Sequence, residues 1–381
     1  MASRHQRGAT ALALAVERGR GMSAPDGPDS GRPTSVGDLT VRDAYTQGLD
    51  YSDAVVAAPR RPIQIPDLYC PFNPAVHPAA AHVHAQSIAW ARAMGLARTE
   101  SHVEALHKAR VGWLVGRAFP VANHIPALQV ASDWTTLFCL IDNHIENIRG
   151  PALSHAYLSG LLKVFRDGAA PLIADPFAHA FRDLRERMIE VGMPSWIDRF
   201  GEQLDRLFKT FVDEAKYRVL EAVPDLKRYR KMREVSVGLY FGFRLGELTD
   251  GIELPPIASE HSVIRNLESR AAYIVGLAND IYTVEKEMAR GEVNNMVLVL
   301  MHEEGIDFDA ALERAASLHD AETREFMHQV NTLPSFGDEI DAQVRRYVEV
   351  LTSMISGHRI WARETGRYES VTMGDDGSSS T

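Results

Sequence analysis

Apolar residues return every three or four positions from Ala79 to Tyr368, and Gly or Pro falls between the runs. That is the period of helices, and strand alternation persists nowhere for more than a few residues. The pattern predicts helices over 84–94, 107–119, 128–146, 152–166, 176–191, 196–222, 227–248, 261–290, 294–303, 308–331 and 336–368. Some runs are apolar on most sides, notably WTTLFCLI at 134–141, as expected of a helix surrounded by others. Residues 1–60 carry Pro, Gly, Ser and Asp without lasting periodicity and read as a disordered, non-targeting extension. Residues 61–78 (RPIQIPDLYCPFNPAVHP) hold five prolines, which forbid a helix interior. Ile65, Tyr69 and Phe72 make this stretch an irregular strap pressed onto a core. Residues 371–381 read as a disordered tail. The expectation is one large all-α domain, with no 20–50-residue repeat to suggest a solenoid.

Composition narrows the function classes. The chain carries 41 Lys+Arg against 51 Asp+Glu, a net charge of −10, so nucleic acid is not expected as the main partner. No apolar run approaches the roughly 18 residues of a membrane span. Two cysteines, Cys70 and Cys139, far apart in sequence, argue against a disulfide framework and fit a reducing cytoplasm.

Two polar clusters follow apolar helical runs. In DNHIE, Asp142 and Glu146 are four residues apart, hence about 40° apart on one helical face. Carboxylates at the end of a buried helix are costly to ionise unless paired or bound to a cation, and such a pair suits Mg²⁺ with substrate phosphates. In NDIYTVEKE, Asn279, Thr283 and Glu287 stand at i, i+4 and i+8 and form a stripe of hard oxygen ligands. Lys286 lies about 20° off the direction of Asn279 and can place an ammonium beside a bound anion. Asp280 and Glu285 project elsewhere. The plain alternative for both clusters is an ordinary charged face emerging into solvent.

These motifs make the chain resemble the bacterial class I terpene cyclases over roughly residues 62–370. That family carries DDxx(D/E) and NDxx(S/T)xxxE motifs on facing helices. The second is intact as NDIYTVEKE; in the first, Asn143 stands where the pattern has a second Asp. The motifs begin 279 − 142 = 137 residues apart, near the family's separation. The resemblance implies three Mg²⁺ held by Asp142, Glu146, Asn279, Thr283 and Glu287. Arg233, 46 residues before Asn279, matches the diphosphate-sensing position, and Ser236-Val237-Gly238 the helix break that follows it. Arg367-Tyr368 matches an RY pair that holds the diphosphate. Asp142, Arg233, Arg367 and Tyr368 are then the catalytic expectation, with Arg233, Lys286, Arg367 and Tyr368 binding diphosphate. The strap resembles the family's N-terminal segment, which covers the site's mouth.

The implied activity is ionisation and cyclisation of a linear prenyl diphosphate. Farnesyl diphosphate is the expected substrate, geranylgeranyl diphosphate the alternative, and the family's frequent homodimer leaves oligomeric state open. A prenyltransferase would show a second Asp-rich motif where NDIYTVEKE stands; a silent helical interaction protein is the other rival. His77, His82 and His84 lack the partners of a zinc site and read as surface residues. Trp113, Trp134, Phe138, Tyr240, Phe241 and Phe243 read as core, with a subset expected to line a cavity.

Overall fold

A computed structural model describes residues 63–148, 150–169, 175–192, 195–220 and 222–368. The expected disordered extension (1–60) and tail (371–381) lie outside the described residues. Every regular element among those described is helical: α1 (Ala80–Ala93), α2 (Glu100–Ala109), α3 (Val111–Ala118), α4 (Ile125–Glu146), α5 (Pro151–Asp167), α6 (Pro176–Val191) and α7 (Ser195–Leu220). There follow α8 (Leu226–Ser236), α9 (Leu239–Asp250), the single turn α10 (Pro256–Ser259), α11 (Ser262–Ala289), α12 (Met296–Glu304), α13 (Phe308–Asn331) and α14 (Asp338–Glu364). A 3₁₀ turn, Gly366–Tyr368, closes the described chain. No helix among the described residues is long and apolar enough to cross a membrane.

Helix starts follow capping chemistry. The side chains of Thr99, Asp175, Asp225, Asn295 and Asp307 each accept a backbone N–H from the first turn that follows, satisfying one donor the helix leaves free. The core gathers around α11, whose eight residues Ala271 to Ala278 are all buried. This helix packs against α8, α13 and α14. In α4, Trp134 is sealed among Phe165, Phe181 and Phe200 at ring separations of 4.8–5.4 Å. Phe138, one turn on, is only half-buried. The run that reads as apolar on most sides therefore turns one face to the core and another to a cavity.

Three runs expected to be continuous are broken, and each break positions the site. The run 107–119 divides at Arg110, a non-glycine residue with φ 51°. That left-handed turn ends α2 and frees the Ala109 carbonyl, which accepts both Trp361 Nε1 (2.8 Å) and Thr365 Oγ1 (2.9 Å). The end of α14 and the turn after it are pinned there. The run 227–248 breaks at Val237-Gly238, where φ is +80° and a Cβ would come within 2.8 Å of Phe138 Cζ, so glycine is required twice over. The run 336–368 ends as helix at Glu364, and Thr365 is extended, which swings Arg367 and Tyr368 back over the bundle. The turn α10 was not expected, and helices α1 and α4 begin three or four residues earlier than their periodicity suggested.

The strap is ordered along residues 63–78 without helix until Ala80. Leu68 is buried, Ile65 packs on the cluster formed by α11, α12 and α13, and Phe72 meets Phe326 edge-on at 5.9 Å. Asp67 ties it to Arg359 and Arg363 at 2.8 Å each. Tyr69, expected to press inward, is 40% exposed and lies under Arg324 instead. His77 is buried rather than on the surface, bonded to the Ala122 carbonyl at 3.0 Å.

Candidate active site

Helical spacing puts Thr135, Phe138, Cys139, Asp142 and Glu146 on one face of α4, and Val275, Asn279, Thr283 and Glu287 on one face of α11. The two faces line a single cavity whose empty space, mouth included, is about 1190 Å³. The break between α8 and α9 adds Arg233 and Gly238, α14 adds His358 and Trp361, and the last turn adds Arg367 and Tyr368. All nine expected site residues, Lys286 included, line this one chamber. No strap residue does. Asn143 also stays out of the lining, its carbonyl accepting Asn147 Nδ2 at 2.7 Å. The side chain that departs from the family pattern thus sits beside the chamber, between the two lining positions.

The polar groups are crowded at one end. Arg367 reaches Asp142 at 3.1 Å and the Cys139 carbonyl at 3.2 Å. Arg233 donates to Asn279 Oδ1 at 2.6 Å, and because a guanidinium only donates, that contact fixes which amide atom is oxygen. The Asn279 amide nitrogen then donates to the Tyr368 hydroxyl oxygen at 2.6 Å, leaving the phenolic hydrogen free to donate elsewhere. Thr283 returns its hydroxyl to the Asn279 carbonyl at 2.8 Å, and Asn295 donates to Glu287 at 2.8 Å. Arg290 lies 3.6 Å from Glu146.

Electrostatics there is strained toward neutral acids. Burial, with Asp142 and Glu292 nearby, pushes Glu146 up to about 7. Burial, with Asp280 nearby, pushes Glu287 up to about 8. A bound cation would favour the ionised form of both. Burial and the neighbouring Arg367 and Arg290 lower Lys286. Burial holds His358 down at about 3, so it stays neutral, and raises Tyr368, so it remains a donor.

Among the described residues no three His, Cys, Asp or Glu side chains converge as a ready-made metal cluster. The donor set nonetheless fits a hard divalent ion: acidic oxygens on one helix face an amide, a hydroxyl and a carboxyl on the other. Internal cations and donors engage Asp142, Glu146 and Asn279 in this arrangement, and these are the groups an ion with its anion would displace. The three N-terminal histidines form no comparable set: His84 accepts Gly112 N–H, and His82 is exposed.

Beneath the rim the wall is apolar: Phe138, Phe241, Leu245, Phe119, Met354 and Trp361. Of the six aromatics singled out in the sequence, Phe138 and Phe241 line it, while Trp134 and Phe243 are core. Phe119, His358 and Trp361 were missed. Met354, His358 and Trp361 recur at i, i+4 and i+7, so periodicity alone could have put them on one face. A side cleft also went unread; Glu214, Arg218 and Asn294 border it beside Asp142 and Glu287.

An oily chamber closed at one end by facing oxygen ligands and buried cations defines a class: a helical enzyme that grips the charged head of a molecule whose body is hydrocarbon. A family model described as terpene synthase family 2, C-terminal metal binding, matches residues 133–325. The 10-epi-cubebol synthase of Sorangium cellulosum is 33% identical over 308 residues, covering 79% of this chain and 97% of that one. The (+)-T-muurolol synthase ((2E,6E)-farnesyl diphosphate cyclizing) of Roseiflexus castenholzii is 31% identical, covering 79% and 93%. The crystal structure of an α-eudesmol synthase superposes with TM-score 0.71 at 24% identity, covering 79% of this chain and all of that one, and shares the fold. The chain belongs to the terpene synthase family. It is a class I terpene cyclase, a lyase that releases diphosphate from a linear prenyl diphosphate, and its domain is a metal-binding one.

Proposed function

We propose that this enzyme cyclises farnesyl diphosphate and that three Mg²⁺ ions serve the reaction. The observation that carries the reading is the meeting of Asp142 and Glu146 with Asn279, Thr283 and Glu287 around one chamber. The farnesyl-diphosphate-cyclising relative from Roseiflexus castenholzii supports the chain length. Asp142, Glu146, Asn279, Thr283 and Glu287 would hold the ions. When bound, these supply Lewis acidity to the charge that builds on the departing diphosphate.

The chain's own groups do the rest. Arg233, Lys286, Arg367 and the Tyr368 hydroxyl donate to diphosphate oxygens, and a guanidinium fork suits that geometry. Arg367 and Arg233 are already aimed at the rim by Asp142 and Asn279, so binding exchanges internal partners for the anion at little cost in reorientation. The carbon–oxygen bond breaks with its electron pair on the diphosphate. The allylic cation stays in a chamber lined by Phe138, Phe241 and Trp361, and a ring whose face meets the cation is worth about 0.5–2 kcal/mol to it. Ring closure follows as the chain folds, and the final cation either loses a proton to the released diphosphate, leaving an alkene, or takes up water and gives that proton to the diphosphate, leaving an alcohol. Two free cysteines, Cys70 and the buried Cys139, support a reducing cytoplasmic setting.

Incubation with C10, C15 and C20 diphosphates, read by gas chromatography–mass spectrometry and by diphosphate release, tests the proposal. Cyclic C15 products and loss of all release on chelation are expected; C20 products alone would replace the substrate, and no release would refute the reading.

A second expectation concerns pH. Glu146 and Glu287 titrate higher when folded than when unfolded, so the folded protein binds more protons across about pH 5–8 and loses stability as pH rises through that window. Without divalent ions the thermal midpoint should fall from about pH 5.5 to about pH 8. Added Mg²⁺ should raise it more at the higher pH, because cation binding favours the ionised carboxylates. Equal shifts at both values would argue against these two carboxyls as ligands.

A further inference from the structure

Most glycines around the chamber answer to backbone or packing. Gly238 needs its positive φ; a Cβ on Gly246 would stand 2.5 Å from Val350 Cγ1, and one on Gly276 would stand 3.0 Å from Arg233 Cγ. Gly242 answers to neither. It lies inside α9 with no left-handed φ, and the only atom near a Cβ built there is the terminal methyl of Met354, at 3.3 Å. That methyl is the far end of a flexible side chain, and both residues line the chamber. The gap is therefore open space belonging to the substrate cavity.

Gly238, beside Arg233, is followed on the lining face of α9 by Phe241, Gly242 and Leu245. Gly242 lies about 6 Å of helix rise beyond Gly238. A C15 chain must fold back on itself for its ends to meet in ring closure. A folded chain needs width, and the bare backbone of Gly242 supplies it opposite Met354.

We infer that Gly242 sets the chain length the cavity takes: the side chain it lacks is the width in which a folded C15 chain sits rather than a C10 chain. This rests on the reading that the substrate is a prenyl diphosphate. The mechanism is exclusion by volume, since a well-packed wall has little room to yield to added methylenes. Replacing glycine inside a helix also removes its entropic penalty, so the backbone favours the variants.

The test is competition between geranyl and farnesyl diphosphates with Mg²⁺, read as the ratio of kcat/KM for C15 over C10. Gly242→Leu should lower that ratio about tenfold or more, and Gly242→Ala by less. Met354→Phe, which fills the same space from the opposite wall, should lower it too and carries the test if Gly242→Leu does not fold. Gly242→Leu combined with Met354→Ala should recover most of the parent ratio. An unchanged ratio in folded variants, or no recovery in the double variant, overturns the inference. The parent protein's own turnover of C15 tests the substrate reading separately, because it involves no change at Gly242.

Discussion

Asn279→Ala is expected to lower kcat for diphosphate release by about 10²–10³-fold or more, with the helical circular dichroism spectrum unchanged. Its amide joins three elements at once. Oδ1 accepts from Arg233 of α8, Nδ2 donates to Tyr368 of the last turn, and the residue itself stands on α11 facing Asp142 across the chamber. Alanine removes the proposed ion ligand and leaves both diphosphate donors without the partner that aims them. The loss should fall on kcat/KM and kcat together, as for an interaction made in the transition state. Stability should change little, because Arg233 keeps Asp280 and Tyr368 keeps its packing on Trp361. Asp142→Ala should behave alike, since it removes the opposite wall's ligand and the partner of Arg367. Product formation retained in both variants would refute the assignment of the rim.

The stripe at Asn279, Thr283 and Glu287 was legible because a helix of 28 residues keeps its phase, so i, i+4 and i+8 share a face whatever surrounds them. Asp142 and Glu146 were legible for the same reason. Periodicity says nothing, however, about which neighbour faces a cavity and which faces protein. Asp280, one residue from Asn279 and about 100° around the helix, was set aside as projecting elsewhere and is fully buried. The helix breaks were harder still. Arg110 carries no local sign of a left-handed conformation, which is fixed by the packing of α2 and α3 on their neighbours. Yet that break frees the Ala109 carbonyl that holds Trp361 and Thr365, the residues leading into Arg367 and Tyr368, so a tertiary constraint helps place two residues that a motif could only name.

Asp280→Ala is expected to destabilise the protein by about 3–5 kcal/mol, the largest stability effect of any single change at the site. Its carboxyl is fully buried and meets three partners from two other elements, α8 and α12. Tyr229 of α8 donates its hydroxyl at 2.6 Å, the Met296 backbone N–H at the start of α12 donates at 3.0 Å, and Arg233 Nε lies 2.8 Å away. Truncation leaves a guanidinium 13% exposed without its closest countercharge, the buried Met296 N–H without its acceptor, and the Tyr229 hydroxyl with only the Asn294 carbonyl at 3.3 Å. Arg233 would then depend on Asn279 and Ser236, so the group proposed to receive the diphosphate loses its fixed base. Urea unfolding should show the loss at unchanged slope, and diphosphate release by the fraction still folded should also fall. Asp280→Asn should lie between, because its amide oxygen can still accept from Tyr229 or Met296 while the charge on Arg233 goes unanswered. The ordering is the diagnostic. If Asp280→Ala and Asp280→Asn both unfold at the parent midpoint, the carboxylate is not what holds α8, α11 and α12 together, and the orientation of Arg233 must come from the chamber side alone.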